Sequence, residues 1–145
     1  MATTPLTHPP RDARHGGVVP DAALRGLAVG RLALGLAALV APRRLGRTFG
    51  LEMDPQVVYM TRIYGGRAMA LGAGYLTAPA PERPRWQRLG LAVDAADTVA
   101  ATGHLRRHDL PPSAAPALAA LTGSYAAVGA ARAIADLVAH HRRAT

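Results

Sequence analysis

The chain has 145 residues, enough for one domain with a buried core and too few for a separate catalytic domain beside a membrane anchor. It has no Cys, which excludes a disulfide framework, a thiol nucleophile and a Cys-ligated metal or iron–sulfur cluster. All seventeen basic residues are Arg and the formal net charge is +8, yet Arg43, Arg44 and Arg47, and again Arg106 and Arg107, stand at the ends of apolar segments, a placement that fits membrane flanks and argues against a nucleic-acid partner.

Residues 1–20 hold four Pro, two His and two Arg and no apolar run, so they lack the centre of a cleavable signal peptide and read as a disordered tail. The first apolar helix then serves as the targeting signal. The remaining domain is expected over 21–142. Helix one starts after the N-cap candidate Asp21 and runs to Ala41, where Pro42 and the Arg43-Arg44 pair end it. A short connector of mixed charge follows, from Pro42 to Asp54. Pro55 suits the first turn of helix two, which runs to about Ala78 before Pro79, Pro81 and Pro84 break the chain. Helix three covers Pro84 to His108, Pro111 and Pro112 end the next connection, and helix four continues from Ser113 to Ala139.

At 1.5 Å per residue each of these helices can cross a hydrocarbon core of about 30 Å. Their uninterrupted apolar runs are short and the mean hydropathy of +0.09 is low for a membrane protein, so a soluble helical bundle is the competing reading. The helix surfaces favour the membrane: there are few Glu and no Lys, and Ala114 to Ala131 carries no charge on any face. The expected fold is all-α, a four-helix transmembrane bundle running up-down-up-down. The Ala-, Arg-, Gly- and Pro-rich composition looks like coding bias in a GC-rich bacterial genome, and with the membrane reading the expected location is the bacterial inner membrane.

Each apolar segment holds ionisable residues near its middle: Arg31, then Arg67, then Asp94 with Asp97, then Arg132 with Asp136. Three positive and three negative charges cancel. Such groups are costly inside apolar helices unless they pair or face a polar cavity. Alternating crossings bring the six within about two helical turns of depth, Arg132 and Asp136 nearer the terminal side, with Asp94 and Asp97 three residues apart on one face and answered by Arg67 or Arg31, while Arg132 and Asp136 pair within one helix. Small residues share the charged faces, as in Ala28-Arg31-Gly35-Ala38 and Gly90-Asp94-Asp97-Ala101, and let helix backbones approach closely in lipid. One reading is a packing network that organises the bundle. The other is a polar cavity for an anionic headgroup, a quinone or a proton.

The run Arg62-Ile63-Tyr64-Gly65-Gly66-Arg67-Ala68-Met69-Ala70-Leu71-Gly72, followed by Val93-Asp94-Ala95-Ala96-Asp97, resembles an uncharacterised family of small four-helix integral membrane proteins, as do Gly30-Arg31, Ala41-Pro42 and Phe49-Gly50. The resemblance covers about residues 24–137. It implies a four-helix membrane fold, with a Gly-x-Arg segment in helix two and paired aspartates in helix three, and brings no established activity. Ala68 stands where that pattern leads one to expect Arg or Asp, which removes a charge and puts shared ligand chemistry in doubt. DoxX-like membrane proteins, linked to redox or quinone partners, are similar in length and layout only.

His104 and His108 have the i, i+4 spacing of a metal pair, but Arg106 and Arg107 oppose a cation there and Asp109 is the sole nearby third ligand. No metal site or cofactor is expected. Thr122 and Ser124 lack a neighbouring base and no Gly-rich loop follows a strand, so no catalytic residue is assigned. His140, His141, Arg142 and Arg143 read as a basic tail beside anionic headgroups. Arg11, Arg14, Arg25, Arg83, Arg85, Arg88, Arg142 and Arg143 on the terminal side outnumber Arg43, Arg44, Arg47, Arg106 and Arg107 opposite by eight to five, which favours cytoplasmic termini. The expected partners are the lipid bilayer and a membrane protein or a second copy of the chain.

Overall fold

The computed structural model describes residues 21–144, with side chains as far as residue 142; the expected tail over 1–20 and the side chain of Arg143 lie outside the described residues. Within them the chain is all-α, with helices α1 (Asp21–Val40), α2 (Pro42–Thr48), α3 (Pro55–Thr77), α4 (Arg83–Arg107) and α5 (Ala114–Ala144).

Prolines and caps set the boundaries. Ala41 leaves the helical region at φ −132°, ψ 51°, as the residue before a proline is driven to do, and Pro42 restarts the chain at the head of α2. The connector expected from Pro42 to Asp54 therefore contains a helix of two turns. Gly50, at φ +73°, turns the chain away from α2 in a conformation that a Cβ would strain. The Asp54 side chain accepts a hydrogen bond from the Val57 N–H at 2.7 Å and Pro55 follows it, so α3 begins with a satisfied cap. His108 takes the left-handed conformation at the end of α4. α5 runs past the expected Ala139 to Ala144, with no Gly or Pro in its last turns to stop it.

Contacts give the register of the four long helices. On α1 and α3, Gly35 meets Gly65 and Ala28 meets Gly72, an antiparallel alignment. On α4 and α5, the Thr98 and Thr122 hydroxyl oxygens lie 3.1 Å apart and Leu91 packs over Gly129, again antiparallel. Trp86 of α4 covers Gly74 of α3. The four long helices thus alternate in direction. α1 packs along α3 and α4 along α5, while packing between these two pairs is much sparser.

The interior consists of small residues. Ala28, Ala38, Ala68, Ala78, Ala101, Ala114 and Ala115 are buried, and no large side chain among the described residues is fully enclosed. The large aliphatic groups lie outside: Val29, Leu36, Val40, Ile63, Val99, Ile134 and Leu137 are each at least half exposed. Among the described residues, α1 and the Ala114–Arg142 stretch of α5 are long and apolar enough to cross a membrane, and less than a quarter of either apolar window is buried. α3 carries Arg62 and Arg67, and α4 carries Asp94, Asp97 and five Arg; both fall short of that hydropathy.

Candidate functional site, an ionic seam

The six charged residues singled out above do not share one site. They form separate pairs, and every pair that joins two helices crosses the seam between α1/α3 and α4/α5.

Arg31 on α1 is ion-paired with Asp94 on α4, the one buried charged residue among those described. Local sequence makes room for this contact. A Cβ at Gly90, one turn before Asp94, would stand 3.1 Å from a guanidinium nitrogen of Arg31, so the glycine leaves the arginine uncrowded. From α5, the Tyr125 ring lies with its centroid 5.2 Å from the Arg31 Cζ, within cation–π range. The Tyr125 hydroxyl reaches the space beside Gly30. One arginine thereby gathers three helices. Thr98, one turn beyond Asp94, donates to the Asp94 carbonyl at 2.6 Å, and its hydroxyl oxygen lies 3.1 Å from that of Thr122, which continues the polar line along α4 and α5.

Arg67 on α3 donates to Asp97 at 2.6 Å and its Cζ lies 5.6 Å from the Tyr64 ring centroid. This pair is more open than the first: the Arg67 side chain is 44% exposed and that of Asp97 24%. Asp94 and Asp97 leave the same side of α4 but answer different arginines, one from each helix of the facing pair. Each carboxylate has its own arginine because three residues along α4 leave the two side chains about 60° apart on one side of the helix, so that one reaches α1 and the other α3.

Arg132 and Asp136 pair within α5 at 2.9 Å, as their spacing predicts. Arg132 also donates to Asp21 at 2.8 Å, so this residue at the start of α1 ties it to α5. Sequence reasoning missed Asp21 because it stands at a helix terminus, where an Asp already has a local explanation. This third cluster lies at the terminal end, near Tyr75 and Arg83, and not beside the two central pairs.

His104 and His108 diverge. The His104 Nδ1 is 2.7 Å from Asp109, which also accepts from Arg107 Nε at 3.0 Å, whereas the His108 ring meets the Arg106 carbonyl. These hydrogen bonds hold the Asp109 carboxyl below the usual carboxylate range.

An apolar pocket of about 250 Å³ lies between α1, α2, α3 and α5, with Leu34, Phe49, Met60, Leu118 and Leu121 in its walls and the Tyr64 side chain as a polar edge. Ser113 on the far side of the α4–α5 connection donates to the Phe49 carbonyl at 3.1 Å and helps to hold α2 in place.

Comparison with family models, with curated proteins and with solved structures finds no match to the chain. The reading of the site therefore rests on its own geometry.

Proposed function

We propose that this chain is a small multi-pass integral membrane protein of the bacterial inner membrane whose Arg–Asp pairs join two small-residue helix hairpins into one four-helix bundle. The observation that carries the reading is that the cross-helix ion pairs Arg31–Asp94, Arg67–Asp97 and Arg132–Asp21 all bridge the seam where packing is sparse. Within each hairpin, Gly and Ala let backbones touch, which is how helices associate where lipid removes the hydrophobic driving force. Between hairpins, a mid-membrane Arg costs about 2.5–3.5 kcal/mol on insertion scales, and a facing carboxylate offsets that cost only when the two hairpins dock. The charges thus act as a register device: α4 fits where Asp94 finds Arg31 and Asp97 finds Arg67. The aliphatic outer surface supports the same reading, since a soluble bundle of this size would bury Val29, Leu36 and Ile134 rather than its alanines.

The test is partition. Washing membranes with carbonate should leave the protein in the pellet, and it should stay monodisperse only in detergent. Release into the supernatant with monodisperse behaviour in plain buffer would establish the soluble bundle instead.

A second reading is favoured by the pocket edged by Tyr64. Its apolar walls suit a flat or chain-like apolar molecule, and Tyr64 stands between it and the Arg67–Asp97 pair, where a polar end or a proton would be handled. Saturable binding of a short-chain quinone that is lost in Tyr64→Phe would support that role over a purely structural one.

A further inference from the structure

Every arginine near the middle of a helix is answered by a carboxylate, but Arg43, Arg44 and Arg62 are not. They line one cleft of about 430 Å³, together with Val40, Ala41 and Pro42, where the end of α1 and the start of α2 pass α3. None of the three guanidinium groups has an ion pair or hydrogen bond among the described residues, and no carboxylate lines the cleft. Three cations converging without an anion repel one another, an arrangement that a bound anion relieves.

We propose that this cleft binds the phosphate of an anionic phospholipid, a role that rests on the membrane reading above. Guanidinium groups suit phosphate because each offers two parallel donors to two oxygens. The walls below the arginines select a lipid over free phosphate. Val40, in the cleft itself, is 74% exposed, and Leu36, one turn further into α1, is 53% exposed. On α3, one turn beyond Arg62, a Cβ at Gly66 would meet nothing within 4 Å, so the space beside this apolar flank is open. A phosphate held by the arginines has room for its acyl chain there.

The test uses the full chain in a neutral detergent, titrated with dioleoyl phosphatidylglycerol, with dioleoyl phosphatidylcholine and with inorganic phosphate, and read by native mass spectrometry and thermal shift. Arg43→Gln/Arg44→Gln/Arg62→Gln is compared with Arg85→Gln/Arg88→Gln/Arg142→Gln, which removes the same charge elsewhere. Phosphatidylglycerol affinity should fall about tenfold or more in the cleft variant and less than about twofold in the control. Equal losses in both variants, equal affinity for phosphatidylcholine, or inorganic phosphate bound as tightly as the lipid would each overturn the proposal. If the triple variant does not fold, Arg62→Gln alone decides, with an expected loss of about threefold and no loss counting against the site. Carbonate release would remove the membrane reading, whereas this titration in micelles reads the cleft directly, so the two failures are distinct.

Discussion

Gly35 and Gly65 face each other across α1 and α3 so closely that a Cβ on either would stand 2.7 Å from the other's carbonyl oxygen. Backbone lies against backbone, and nothing flexible is available to move aside. Gly35→Ala and Gly65→Ala should each destabilise the protein by about 1–3 kcal/mol. Gly26, with nothing within 4 Å, is the matched control. There Ala should be neutral or stabilising by about 0.5–1 kcal/mol through helix propensity alone. Unfolding midpoints in mixed micelles of increasing SDS fraction measure both, and equal effects at Gly35 and Gly26 would mean that α1 and α3 do not touch there.

Arg31 and Asp94 should be coupled to each other, and Arg67 to Asp97, because each pair is in direct contact. Removing either member of the buried pair should cost about 3–5 kcal/mol, with the double substitution Arg31→Ala/Asp94→Ala losing less than the sum of the singles. The more open Arg67–Asp97 pair should show a smaller loss of about 1 kcal/mol or less. The mixed cycle of Arg67→Ala with Asp94→Ala should show weaker coupling than the direct cycles, because no hydrogen bond joins Arg67 to Asp94. Coupling as strong in the mixed cycle as in the direct ones would mean a single shared network.

Asp109 is an exposed carboxylate held below its usual range by hydrogen bonds with His104 and Arg107. Its folded pKa is depressed, so its contribution to stability is present above the unfolded carboxylate pKa and is lost as pH falls through the lowered folded value. Carbon-detected NMR titration should find the Asp109 carboxylate still ionised at acid pH where free aspartate is half protonated. His104→Gln should move it back toward the ordinary value, and Arg107→Gln should do so to a lesser degree.

Reporter fusions after Ala80 and after Thr145 should both report cytoplasm, and a fusion after Arg107 the opposite side. The cleft adds Arg62 to the non-terminal side, which narrows the arginine bias from eight against five to eight against six. Disagreement between the first two fusions would show that α4 or α5 does not cross.

The sequence alone determined where the long helices begin and end, within a few residues, because those signals are local. Pro42, Pro55 and Pro84 act on their own neighbours, and Asp54 caps a helix whose first turn it can reach. The same locality made the Arg132–Asp136 pair legible, since four residues of helix bring the two side chains together. Which carboxylate answers Arg31 was not legible. Arg31 and Asp94 are 63 residues apart, and their meeting depends on the rotation of α1 and α4, the space left at Gly90 and the position of Tyr125. Asp21 and Arg132, 111 residues apart, meet for the same kind of reason. The apolar pattern was too weak to orient the helices, because Ala and Gly occur on most faces and differ little in hydrophobicity from one face to the next. Tertiary structure decided the pairing, since close approach of backbones depends on shape, and shape emerges only when two helices are set side by side.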